Sequence, residues 1–439
     1  MTTDIHQRRQ RRMMQWFSPA RLGLFYHWGL FTGGGSSESG GSQRPLRYAT
    51  PADLEAAAPD PDMVAANLID TAVRIGARYV TFTVLHTCEM YCAMYPTRVP
   101  AFALHTQIDY VGALVGAGQR AGVRVLCYLP AGGPPSDPSG DWKHGVPAEY
   151  CNDAAYEPKL RALITELHER YGDGIAGFWL DGNNKAWGIG PHIRGLWPDA
   201  IVISNNDTGL MGDDVDAASL ELVPDLCEPR YNRPDAYRKA HPQWFIFPAK
   251  RDYMEDIPTP NAWWHGAPHI SQRQLLASPY VTDPTYLVKE MICTLGQRGQ
   301  WNYTLGLGPC VDGTAPELFQ PMLDNLQDFM AWAAPAIYDT TGGECSMLQP
   351  GWSTFGGFYS VTVSHADPAV HYVLVTEVPH TERLHLQTNG YEAESIIDLH
   401  TGQPVPFTNC GMVRIEEKTG WDDVTKFGAR VLRVRMRRA

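Results

Sequence analysis

Two carboxylates close apolar runs in this chain, and the groups at neighbouring run ends define the chemistry open to them. GIAGFWLD ends on Asp181 with a glycine directly after it, and LVPDLCE ends on Glu228. Three more runs end on side chains that hydrogen-bond hydroxyls: His27 in FYHWG, His86 in VLHTCEMYC and Tyr128 in LCYLP. Trp28, beside His27, and Trp264, in NAWWHG, offer flat faces on which the C–H side of a sugar ring can lie. Two carboxyl groups cleave a glycosidic bond when one stays ionised and attacks the anomeric carbon while the other holds its proton for the departing oxygen. Asp181 suits the nucleophile because it sits deepest, and Glu228 suits the acid/base because it follows from another strand across the same mouth. Retention of configuration calls for carboxyls ~5–5.5 Å apart, inversion for ~6.5–9.5 Å. Each feature alone also has a plain reading: Asp-Gly occurs in ordinary turns, a strand-end histidine can be satisfied by backbone, and a tryptophan pair can be packing. Their recurrence at strand ends favours the chemical reading.

The elements that would position these groups follow from the pattern of apolar runs. Eight recur, at 22–28, 77–84, 123–129, 174–181, 200–206, 222–228, 243–249 and 302–309. They are apolar along most of their length, as strands buried on both faces are. Amphipathic segments lie between them, such as 108–122 and 156–172, each ending at a glycine that can cap a helix, and the last is 317–335. Strict alternation predicts an α/β fold, and strand ends rich in His, Asp and Glu favour a (β/α)8 barrel, which gathers those ends in one pocket. After Tyr338 the texture changes to short runs with turn residues and no helical pattern. That predicts a small antiparallel β-sandwich over 337–439, behind a catalytic barrel spanning 1–336. The segment TGGGSSESGGSQRP (32–45) follows the first strand and reads as a loop, either a lid or substrate contact over the barrel mouth or plain solvated surface.

Bulk composition narrows the partners. The 439 residues are 44% apolar and 19% charged, enough for a large core, with 13 Trp and 20 Tyr, more polar-edged rings than a core alone requires. A net charge of −12, with no long basic run beyond RRQRR at 8–12, argues against nucleic acid or an acidic membrane, and that short run reads as a solvated end. No apolar stretch follows the opening charges as in a secretory signal, and none is long enough to cross a bilayer. Nine cysteines, an odd number spread over the chain with Cys127 and Cys293 in apolar runs, fit reduced thiols and a cytoplasmic location. Self-association is left open.

The residues together resemble a known family. WFSPARLGLFYHWGL, GARYVTFTVLHTCEMYCAMYPT, GIAGFWLDGN and NYTLGLGPCVDGTAPE are similar, in that order over about residues 15–340, to segments of the α-L-fucosidases of glycoside hydrolase family 29. The resemblance implies a retaining exo-hydrolase of terminal α-L-fucosides, a (β/α)8 barrel with a C-terminal β-sandwich, no metal or organic cofactor, and Asp181 as nucleophile. It places the acid/base at Glu228 in CEP, with Glu255 in DYMEDIP as a rival. The chain also departs from the family pattern. A histidine pair becomes Leu85-His86, and the Asp-Gly after it becomes Thr87-Cys88-Glu89. A frequent arginine is Thr208, the W-G-Y motif reads Trp264-His265-Gly266, and an asparagine becomes Gly306. These changes touch sugar contacts more than the nucleophile, so an α-L-galactoside or an unusual deoxysugar glycoside stays open.

Two other readings compete. His86, Cys88 and Cys92 carry metal-ligand chemistry close together in HTCEMYC, which would suit a zinc hydrolase, although the spacing matches no familiar zinc pattern. A sugar-binding barrel that has lost its chemistry is the second, favoured by the altered histidine pair and disfavoured by a strand-end carboxylate at Asp181 that a pure binder does not need.

Overall fold

A computed structural model describes residues 2–30, 32, 48–86, 91–131, 153–181, 189–205, 215–219, 248–252, 283–297, 302–343, 346–352, 358–379, 383–416 and 420–439. Its first part is a parallel eight-stranded sheet of β1 (Leu22–Tyr26), β2 (Tyr79–Thr83), β3 (Arg124–Pro130), β4 (Ile175–Asp181), β5 (Ile201–Asn205), β6 (Ala217–Ser219), β7 (Pro248–Asp252) and β8 (Asn302–Leu307). The pairing order is β6-β5-β4-β3-β2-β1-β8-β7, and the two end strands, β6 and β7, lie side by side. This is the (β/α)8 barrel expected. The sixth strand is a correction: among the described residues it is the short Ala217–Ser219, ahead of the expected 222–228, which lies outside them.

Helices cover the barrel because their starts and stops are written locally. Asp60 accepts a hydrogen bond from the Met63 amide and precedes Pro61 at the start of α2 (Pro61–Arg74). Asp109 caps α3 (Tyr110–Ala121) through the Gly112 amide, and Gly122 ends it in a left-handed conformation. α4 (Asp153–Tyr171), α5 (Ile189–Leu196), α6 (Tyr286–Gln297) and α7 (Gln320–Ile337) follow in the described residues, and a short helix at Pro51–Ala57 precedes α2.

Strand alternation sorts side chains into two cores. Leu24, Tyr26, Val80, Phe82, Val125, Cys127, Phe178, Leu180 and Val202 point outward against the helices. Phe25, Tyr79, Leu126, Tyr128, Trp179, Ile201, Ile203 and Ala217 fill the interior. Gly23 is required on the inside: a Cβ there would lie 2.2 Å from the Tyr79 ring. On β4 the register shifts by one residue, pairing Val125 with Ile175 and then Leu126 with Gly177. Ala176 is the extra residue, and this bulge changes the phase so that Trp179 and Asp181 face inward although Ile175 faces out.

The N-terminal segment corrects a second expectation. RRQRR belongs to α1 (Thr2–Arg12) and is solvated on one side only: Arg8, Gln10 and Arg11 are exposed, while Arg9 is buried and Arg12 pairs with the fully buried Asp216 at 2.7 Å. Met13, Phe17 and Ala20, which follow, join the interior cluster and plug the barrel from below.

Beyond Ile337 the chain enters a β-sandwich. Strands β10 (Gly351–Trp352), β11 (Phe358–Ser364), β12 (Val370–Val375), β17 (Arg430–Arg438) and β14 (Tyr391–Asp398) pair in that order, with β9 (Thr340–Gly342) on β11. A second sheet orders β13 (Arg383–Leu386), β16 (Val413–Glu416) and β15 (Phe407–Asn409). The apolar run VHYVLV on β12 serves two cores: Val373 and Val375 face the sandwich interior, while Tyr372 and Leu374 face the barrel helices. The Thr362 hydroxyl donates to the Ala336 carbonyl at 2.6 Å, and Trp332 of α7 stacks on His400 with ring centroids 4.6 Å apart. One short helix, α8 (Asp422–Phe427), interrupts a region expected to hold none. No helix among the described residues is long and apolar enough to cross a membrane.

Candidate active site

Four adjacent strands carry one side chain each to the C-terminal rim of the barrel: His27 just after β1, His86 just after β2, Tyr128 on β3 and Asp181 as the last residue of β4. The same period-2 alternation that points Phe25 and Trp179 inward carries His27 and Asp181 to that side. The His86 and Tyr128 rings stack with centroids 5.2 Å apart and planes at 13°. His27 meets both edge-on, at 5.9 Å from His86 and 5.8 Å from Tyr128. Beneath them, Phe25 stacks on His27 at 4.3 Å and meets Trp179 edge-on at 5.1 Å. His27, His86, Tyr128 and Trp179 are buried, whereas Asp181 is half-buried at the mouth.

The Tyr128 hydroxyl donates a hydrogen bond to Asp181 Oδ2. The two residues sit on neighbouring strands, and the ladder aligns Tyr128 with Trp179 and Pro130 with Asp181. The Ala131 amide donates to the Asp181 carbonyl at 2.5 Å, fixing the backbone at the strand end. A hydroxyl donated to a carboxylate favours its charged form, so the arrangement suits an ionised oxygen facing a ligand from below.

Of the residues expected in the site, His27, His86, Tyr128 and Asp181 come together. Trp28 does not, and is a correction. It follows the outward parity of Leu24 and Tyr26, packs on Tyr110 at 4.6 Å and Phe82 at 6.1 Å, and donates its indole N–H to the Val311 carbonyl at 3.1 Å. With no exposed surface it is a packing residue, and no sugar face lies against it. Glu228, its rival Glu255, and Trp264 lie outside the described residues, as does 33–45 of the glycine-rich segment. Leu85, standing where the family pattern has a histidine, is buried in the outer core, and Gly306 faces inward in register with Phe25. Two contributors were missed by sequence reasoning. Phe25 forms the floor under His27, which its place two residues earlier could have signalled. Thr83 bonds the backbone of Trp28, and only its inward parity on β2 marks it out.

For the zinc reading, Cys88 lies outside the described residues, and Cys92 is packed in the outer layer while His86 stacks inside the barrel. Among the described residues no group of three or more His, Cys, Asp or Glu side chains is arranged to hold a metal ion. Cys127, Cys310 and Cys410 are free thiols.

Comparison with known proteins adds to this geometry. No curated protein sequence matches the chain significantly. Similar solved structures include a glycoside hydrolase family 29 α-L-fucosidase from Bacteroides thetaiotaomicron, a covalent intermediate trapped with 2-fluoro-fucosyl fluoride. It is 19% identical, with 97% of this chain and 96% of that chain covered at a TM-score of 0.68. The α-fucosidase of Thermotoga maritima in complex with fucose is 18% identical, covering 96% of each chain at 0.66. α-L-fucosidase isoenzyme 1 from Paenibacillus thiaminolyticus is 16% identical, covering 98% of this chain and 100% of that chain at 0.69. These likenesses concern the fold. The sequence profile described as Alpha-L-fucosidase matches residues 1–334 of the 439. The chain is a glycoside hydrolase and belongs to the α-L-fucosidase family.

Proposed function

We propose that the chain is a retaining exo-glycosidase that removes terminal α-L-fucosyl groups, or a closely related L-sugar, by double displacement with Asp181 as the nucleophile. One observation carries this reading: a half-buried carboxylate at the barrel mouth, held by the Tyr128 hydroxyl beside a wall of His27 and His86. In the first step an Asp181 oxygen bonds to C1 as the glycosidic C–O bond breaks, and the leaving oxygen takes a proton from the acid/base, proposed as Glu228 with Glu255 as the alternative. In the second step the same group, now ionised, takes a proton from water whose oxygen attacks C1 and releases Asp181. Two inversions at C1 give net retention.

The binding side of the proposal rests on His27 and His86. Imidazoles aimed at a ring of hydroxyls can donate and accept hydrogen bonds, and Phe25 stacks beneath His27 as an apolar floor. The family membership and the covalent fucosyl intermediate of the B. thetaiotaomicron protein support fucose as the first sugar to try.

The test is a panel of 4-nitrophenyl glycosides with the α-L-fucoside first and the α-L-galactoside second. Release of nitrophenolate with the β-anomer of the product absent from the first-formed sugar supports a retaining fucosidase. A chain that binds L-fucose yet leaves every glycoside intact is the sugar-binding barrel instead.

A further inference from the structure

We infer that Thr83 and Trp28 are positioning residues that hold His27 in place at the barrel mouth, an inference that rests on the proposed fucosidase reading of that site. The β1–β2 ladder ends at the pair Tyr26 and Phe82, so the chain carrying His27 leaves the sheet one residue later. Thr83 supplies the next rung. Its hydroxyl accepts a hydrogen bond from the Trp28 amide at 3.1 Å and donates one to the Trp28 carbonyl at 2.9 Å. One side chain thereby holds both backbone polar groups of the residue that follows His27. A local turn continues the restraint, since the Gly29 amide donates to Thr32 Oγ1 at 2.8 Å.

The Trp28 side chain fastens the other side. Its indole N–H donates to the Val311 carbonyl at 3.1 Å, in the loop after β8, and its ring packs on Tyr110 of α3. That loop is itself fixed. Gly313 has φ +84° and lies so close to α2 that a Cβ would stand 2.4 Å from the Val64 carbonyl, and Asn67 donates to the Asp312 carbonyl at 2.7 Å. The backbone beside His27 is thus tied to β2, to the β8 loop and through that loop to α2. A ring that must meet a sugar hydroxyl at hydrogen-bond distance needs support of this kind, because small displacements cost much of the interaction.

The experiment compares Thr83→Val, Thr83→Ser and Trp28→Phe in the full chain. It measures kcat and KM on 4-nitrophenyl α-L-fucoside and the hydrogen-exchange rate of the Trp28 amide. Thr83→Val keeps the shape and removes the hydroxyl, so the Trp28 amide should exchange faster and KM should rise ~10-fold, while kcat moves less, as for lost binding common to ground and transition states. Thr83→Ser should restore both. Trp28→Phe removes the indole N–H together with part of the ring packed on Tyr110, and should raise KM by a smaller factor. Wild-type KM in both Thr83→Val and Trp28→Phe overturns the inference, and so does a raised KM that Thr83→Ser fails to restore, because that marks a packing effect. If the wild-type chain cleaves no fucoside, the functional reading fails alone. The clamp is then decided by the Trp28 amide, supported by fast exchange in Thr83→Val with slow exchange in Thr83→Ser and overturned by no change.

Discussion

The Tyr128 hydroxyl reaches across the β3–β4 ladder to hydrogen-bond Asp181 Oδ2, joining the half-buried carboxylate at the barrel mouth to the buried ring stack beneath it. Tyr128 is in turn held by the parallel His86 ring at 5.2 Å and the edge of Phe25 at 5.6 Å, so the donor is fixed before any ligand arrives.

Removing that donor should weaken the nucleophile in a pH-dependent way. In Tyr128→Phe the charged carboxylate loses a hydrogen bond, its proton is held more tightly, and the acid limb of the kcat/KM profile moves to higher pH. At neutral pH kcat/KM should fall ~10–10²-fold, the range expected for a hydrogen bond to a charged group. An unshifted acid limb contradicts the role given to Tyr128.

The acid/base assignment separates by leaving group. Loss of general-acid help should cost ~10²–10⁴-fold on a natural glycoside and far less on an aryl fucoside whose leaving group needs no proton. Glu228→Gln is expected to show that split in steady-state kinetics. If Glu255→Gln shows it and Glu228→Gln does not, the two roles are exchanged.

Much of the fold and part of this site were legible in the sequence, for reasons that particular residues make plain. β1 to β5 and β8 are apolar along most of their length and bounded by helix caps such as Asp109 and Gly122, so their places could be read directly. Ala217–Ser219 could not, because three small residues carry no apolar run. The facing of each side chain was harder. Trp28 looked like a sugar platform beside His27, yet one step along a strand reverses the face. On β4, inward placement of Asp181 depends on the bulge at Ala176, a backbone irregularity that no hydrophobic pattern announces. Arg12 looked solvated because its partner, Asp216, is 204 residues away.

That distant pair gives a stability prediction. Asp216 Oδ1 accepts from Arg12 Nε at 3.0 Å and Nη2 at 2.7 Å, while Oδ2 accepts from Arg194 and from the Val202 amide at 3.0 Å. Asp216→Ala leaves both guanidinium groups without this carboxylate and frees α1 from β5, which should cost ~3–5 kcal/mol in chemical denaturation. A loss under ~1 kcal/mol would assign the plug to Met13 and Phe17 alone.

Glu166 of α4 sets an acid limit on the fold. Burial pushes its carboxyl upward but is outweighed by the Thr97 hydroxyl, the Arg98 amide and guanidinium, and Arg170, which bring it from 4.5 to about 2. A carboxyl lowered on folding stabilises above its unfolded value, and that contribution is lost as pH falls from about 4.5 towards about 2. Urea denaturation should therefore show stability declining through this window, and Glu166→Gln should flatten that part of the curve. An unchanged slope in the variant removes Glu166 from the account.

The most direct measurement is peptide mass analysis after incubation with 2-fluoro-fucosyl fluoride, the reagent that trapped the covalent intermediate of the B. thetaiotaomicron protein. A single fluorofucosyl adduct on the peptide containing Asp181, absent from Asp181→Gly, is the predicted result. An adduct on another residue, or turnover of the reagent with no adduct in a chain where Asp181→Gly keeps its activity, contradicts Asp181 as nucleophile.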